Sequence, residues 1–121
     1  MITMSRRRAL LLAGAGLVMP IRGALAHHGW GSYDAANPLE LTGIIEDISY
    51  EFPHAGMYLA TSDKTWEVVL GPPTRTRSRG LTEDIAVPGI ECTVMGYPHR
   101  SHDAEIRVEW VRVNGETYQM R

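Results

Sequence analysis

The run Glu105-Ile106-Arg107-Val108-Glu109-Trp110-Val111-Arg112-Val113 alternates charged and apolar residues. Side chains of a strand point to opposite faces with a period of two, so this run predicts a strand with one wet face and one buried face. The alternation slips once, at Trp110-Val111, where a bulge restores the phase. Asn114-Gly115 follows directly and meets the positive-φ demand of a two-residue hairpin turn. The chain therefore turns back, and Glu116–Met120 is expected as a short last strand.

The preceding sequence supplies the other strands. Leu39–Tyr50 reads as a long strand with imperfect alternation, and Gly43 near its middle marks an expected bulge or sharp bend. Phe52-Pro53-His54-Ala55-Gly56 breaks it, because proline denies the ladder a donor. Met57–Thr61 and Thr65–Leu70 form a hairpin across Ser62-Asp63-Lys64, with Trp66, Val68 and Leu70 on one face. A short exposed helix is expected over Thr74–Arg79, opened by Pro73 and closed by Gly80. Ile90–Gly96 is the fourth strand, and Tyr97–Asp103 the loop that leads into the fifth. Three strands, a short helical connection and two or three further strands give an all-β, OB-like barrel of five to six strands, with the helix between strands 3 and 4. A small β-sandwich is the alternative.

Residues 1–26 read as a removable export signal. Arg6-Arg7-Arg8 precedes an apolar run from Ala9 to Met19, too short to span a bilayer, which needs about 20 residues. The paired arginines suit the twin-arginine route, with ordinary secretion as the alternative. Ala24-Leu25-Ala26 is a small-x-small cleavage site, so the expected product is periplasmic, begins at His27 and keeps no membrane anchor. Residues 27–38 then form an extended arm, and 39–121 the barrel domain.

Cleavage alters the charge. Four arginines leave with the signal, so 12 basic residues become 8 against 14 acids, a formal charge of −6. A chain that acidic, with a single lysine, is a poor match for a phosphate backbone, and no nucleic-acid partner is expected. Cys92 stands alone in an apolar strand and reads as an inert buried thiol.

Several pieces follow one another along the chain: His27-His28-Gly29-Trp30, Tyr33-Asp34, Asn37 to Gly43, Pro53-His54, Trp66 to Leu70, Pro72-Pro73, Arg79-Gly80-Leu81 and Gly96-Tyr97-Pro98-His99-Arg100. Taken together they resemble a bacterial family of small exported domains of unknown function whose mature chains open with a His-His pair. The resemblance covers essentially all of 27–121 and implies a periplasmic β-barrel without an assigned activity. Phe52 stands where that family usually has Asn before Pro-His, and Leu81 where it tends to have Trp.

In an OB-type barrel the loops between strands 1 and 2 and between strands 4 and 5 flank one binding face. Here they carry His54 and His99. The 12-residue arm spans at most roughly 40 Å, enough to run beside strand 1 to the same end. A processed His27 offers its amine and ring together, with His28 next in line. The expected metal ligands are therefore His27, His28, His54 and His99. Copper ranks first, as nitrogen ligands and the divalent affinity order favour it, and zinc second. His102 is assigned to a solvated turn, and the arginines at 75, 77 and 79 to a solvated face. The alternative is a non-metal module that binds a ligand or an envelope protein partner through the same face, with Tyr58 on it. No Ser-His-Asp pattern, phosphate-binding glycine loop or activated cysteine indicates an enzyme.

Overall fold

The computed structural model describes residues 29–121. The chain divides between Ser32 and Tyr33. On the amino-terminal side the described residues hold one 3-10 turn, Trp30–Ser32. The export signal, its cleavage site, His27 and His28 lie outside the described residues.

From Tyr33 onward the chain forms six strands and one short helix: β1 (Leu39–Ser49), β2 (Gly56–Ala60), β3 (Thr65–Val69), α1 (Pro73–Ser78), β4 (Glu91–Pro98), β5 (Glu105–Val113) and β6 (Glu116–Gln119). The sheet order is β3-β2-β1-β4-β5-β6, and a parallel β3–β5 pairing closes the first five strands into a barrel. This is the OB-like architecture expected from the strand order, with α1 between β3 and β4.

β1 is long because it serves two neighbours. Its first half pairs with β4, its second half with β2, and Ile44 pairs with both. Gly43 sits where a Cβ would lie 2.3 Å from the Ala60 carbonyl oxygen, so only glycine allows β2 that close. The register shift itself falls later, between Ile45 and Asp47. Gly43 is thus a point of close approach, and the bulge lies at Glu46.

The β5 slip also resolves one residue from its expected place. Met95 pairs with Trp110 and Gly96 with Val108, which leaves Glu109 as the extra residue. That insertion resets the alternation, so Ile106 and Val108 before it and Val111 and Val113 after it all point inward and are buried. They pack with Leu59, Val68, Ile45 and Val94 in one core, where each fully buried aliphatic side chain contributes about 1.5–3 kcal/mol. Trp66, Val68 and Leu70 share this core as expected. Asn114 and Gly115 take φ of 52° and 82°, the left-handed pair that the β5–β6 turn requires.

α1 begins with Pro73 at its first turn and ends before Gly80, whose φ is +105°. It is not uniformly exposed. Thr76 is buried, and its hydroxyl accepts the Gly71 amide at 3.2 Å. Arg77 faces out, pairs with Glu83 at 2.6 Å and lies over the Tyr50 ring. Cys92 is buried, as its apolar strand implied.

A candidate metal centre on the β4–β5 loop

β4 continues two residues past Gly96, because Tyr97 and Pro98 still find partners in Arg107 and Ile106. Pro98 has no N–H to lose, and its carbonyl accepts the Asp34 amide at 2.8 Å. The arm thus pairs with the end of β4, where Tyr33 forms a bridge with His99. An Asx turn holds this part of the arm: the Asp34 carboxylate accepts from the Ala36 amide and the Asn37 side chain.

The loop that follows is tight. The His99 amide donates to the Glu105 carbonyl at 2.9 Å, and the Glu105 amide to the His102 carbonyl at 3.2 Å. His99 Nδ1 accepts from the backbone amides of Ser101 and His102 at 3.1 and 3.2 Å. The His99 and His102 rings stack with centroids 4.1 Å apart and planes 8° apart, and the Tyr33 ring meets His99 edge-on at 5.1 Å. Glu105 takes a hydrogen bond from the Tyr33 hydroxyl on one carboxylate oxygen, and its other oxygen lies 3.1 Å from His102 Nδ1.

These contacts set the charge. Burial acts to raise the Glu105 carboxyl, but the bonds from Tyr33 and His102 and the nearby histidines outweigh it and hold it below the ordinary carboxylate range. Burial, reinforced by its bond to Glu105, keeps Tyr33 a neutral phenol well above its usual range. One ligand atom each from His99, His102 and Glu105 lies within 4.8 Å of the other two. Two imidazoles and one carboxylate on a fixed loop are a donor set able to hold a first-row metal ion. The same His102 and Glu105 form one wall of an open groove of about 270 Å³, whose other lining residues are Tyr58, Thr65, Glu67 and Ala104.

Of the ligands expected from the sequence, His99 is in this group. His54 is not. It is half-buried on the β1–β2 loop near Arg107 and Arg75, and burial, then those two charges, push its imidazole below the ordinary value. The group also includes His102, which the sequence places in a solvated turn, and Glu105, which it places at a strand start. The signal was the spacing His99-x-x-His102-x-x-Glu105. That spacing predicts a turn and a strand start, as observed, and the turn also brings one ligand atom from each residue within 4.8 Å of the others.

Residues 16–107 match the Family of unknown function (DUF6152), a match that agrees with the unknown-function family resemblance read from the motifs. No curated protein matches. Among solved structures, the chain is similar to the ZRD-deleted mutant of TiaS in complex with agmatine, with a TM-score of 0.53 and 15% identity over 72% of this chain and 27% of that one. It also matches the TiaS-tRNA(Ile2)-ATP complex, with a TM-score of 0.49 and 17% identity over 67% and 19%. The chain spans about a quarter of the length of the first of these, and the likeness at such identity concerns the fold.

Proposed function

Because the chain belongs to the Family of unknown function (DUF6152), its activity must be read from its own site, and we propose that it is a metal-binding protein of the cell envelope, with Cu(II) as the preferred ion and zinc as the competitor. The observation that carries this reading is the convergence of His99, His102 and Glu105 ligand atoms within 4.8 Å. Three protein ligands leave a coordination position open to water or a partner.

The two rings now lie parallel, so their in-plane lone pairs run side by side. An ion bound at about 2.0–2.1 Å from each nitrogen needs converging lone pairs, and His102 must swing out of the stack. Its side chain is 66% exposed, so nothing bulky blocks that motion. His99 must also present a lone pair in place of its present bonds from two loop amides. Losing two such bonds costs about 0.5–1.5 kcal/mol each, little beside the roughly 10 kcal/mol or more of a structural metal site. Protonation of the histidines opposes ligation, so affinity falls toward acid pH.

The amino-terminal His27 amine and ring, with His28, and the loop histidine His54 remain proposed ligands on the sequence argument. The test is a Cu(II) and Zn(II) titration of protein beginning at His27, of the same protein with one extra amino-terminal alanine, and of His99→Ala, His102→Ala, Glu105→Gln and His54→Ala. We expect the three cluster variants to lose at least about tenfold in affinity, equivalent to about 1.4 kcal/mol. Unchanged affinity in all three would overturn the loop site. Loss on alanine extension alone would move the site to the amino terminus. Export is tested by sequencing the amino terminus of periplasmic protein, where His27 is the expected first residue.

A second reading rests on the groove beside the cluster, where Tyr58 is 49% exposed. In it the face binds an envelope partner without metal. Chelator-resistant capture of a defined partner, abolished by Tyr58→Ala, would favour it.

A further inference from the structure

Tyr33 touches two of the three cluster residues, yet it comes from the arm, 72 positions before Glu105 in the sequence. Its backbone is pinned at two successive residues. Tyr33 forms the bridge with His99, and the amide of Asp34 donates to the Pro98 carbonyl at 2.8 Å. The side chain is only 7% exposed, and its ring meets the His99 ring edge-on, with planes 80° apart. A buried ring on a pinned backbone delivers its hydroxyl to a fixed point, and a buried phenol needs a partner there.

That partner is Glu105 Oε2, which leaves Oε1 as the oxygen beside His102 Nδ1, at 3.1 Å. A carboxylate with one oxygen tied to a phenol offers the other to an ion as a single ligand atom. With both oxygens released it is free to turn away or to chelate through the pair. The edge-on ring limits the tilt of the His99 imidazole in the same way. Bonds of this kind behind the ligands of a metal site fix ligand direction, and their loss typically costs about 10–100-fold in affinity.

We propose that Tyr33 is a positioning residue of the metal centre: its hydroxyl holds Glu105 to ligation through Oε1 alone, and its ring holds the His99 imidazole in place. The proposal rests on the metal-binding reading of His99, His102 and Glu105. Tyr33 acts through these residues and is not a ligand, so the arm is a working part of the site.

The experiment is a Cu(II) titration with electron paramagnetic resonance of the bound ion. It compares the parent protein, Tyr33→Phe, Glu105→Ala, the double variant and Tyr97→Phe. Tyr33→Phe keeps the buried ring and removes only the hydroxyl. It should lose about tenfold in affinity and change the spectrum of the bound copper. A substitution that only lowered stability would leave the spectrum of the folded, loaded protein as it was. In the Glu105→Ala background Tyr33→Phe should have no further effect, because the hydroxyl acts through the carboxylate. Tyr97→Phe is the matched control: it removes a phenol bond to a glutamate, Glu109 at 3.0 Å, that lies outside the cluster, and it should bind as the parent does. Parent-like affinity and spectrum in Tyr33→Phe would overturn the proposal, as would equal weakening by Tyr97→Phe or an undiminished effect in the Glu105→Ala background. A tyrosinate-to-copper absorption band in the parent protein, lost in Tyr33→Phe, would overturn it by making Tyr33 a ligand. A parent protein that binds no copper would overturn the metal reading and this one with it, a result distinct from binding that ignores Tyr33.

Discussion

Replacing Gly96 with alanine tests whether the β4–β5 contact is as close as the structure has it. Gly96 faces Val108 of β5 beside the bulge and Leu39 of β1 on its other side. A Cβ there would lie 2.1 Å from the Arg107 carbonyl oxygen and 2.6 Å from the Val108 Cα. Close carbon–oxygen contacts in sheets lie at about 3.3 Å or more, so the strands must part by about 1 Å. Both neighbours are backbone and cannot swing aside as a side chain would. Overpacking of this kind costs about 1–3 kcal/mol, and two weakened ladder bonds add roughly 0.5–1.5 kcal/mol each. The total is about 2–6 kcal/mol, a large share of the 5–15 kcal/mol typical of a small domain. At about 4–8 °C per kcal/mol for a domain of this size, Tm should fall by at least about 8 °C. Thermal unfolding followed by circular dichroism measures it. A Tm within about 3 °C of the parent protein would refute the reasoning, because a bulged strand would then have absorbed the methyl group at no cost.

Removing the phenol in Tyr33→Phe takes away the first of the bonds that lower the Glu105 carboxyl. A carboxyl depressed in the folded state contributes stability above its unfolded value of about 4.5, and that stability is lost as pH falls through the lower folded value. The parent protein should therefore lose more stability than Tyr33→Phe between pH 5 and lower pH in urea unfolding; parallel pH profiles would show that the bond carries no such linkage. Cys92 has its thiol pushed up to about 12, by burial first and then by Glu91. It should be inert to a disulfide reagent at mildly alkaline pH until the domain unfolds, and rapid stoichiometric reaction of native protein would contradict that burial.

The strands were legible because their information is local. Alternation placed β5, Asn114-Gly115 placed the last hairpin, and Pro53, Pro72 and Pro73 marked where strands had to stop. The bulges were foreseen in kind and misplaced by a residue or more. Gly43 looked like a bulge when it was making room for Ala60, and the β5 phase slip was assigned to Trp110-Val111 when Glu109 is the extra residue. A one-residue insertion is a property of two paired strands, and one strand's sequence shows only its echo.

His99 and its loop were also readable, from Pro-His-Arg beside a strand end. The company each histidine keeps was not. His102 lay in a polar stretch typical of a solvated turn, yet two backbone bonds close that turn and stack it on His99 above Glu105. His54 had the same Pro-His signature as His99, and closure of the barrel set it beside two arginines instead. Period, turn chemistry and composition determined the all-β class, the strand order and the acidic surface, because each residue carries those preferences wherever it sits. The parallel β3–β5 closure decided which charged side chains share a neighbourhood, because electrostatics depends on distance in space and the chain sets only distance along itself.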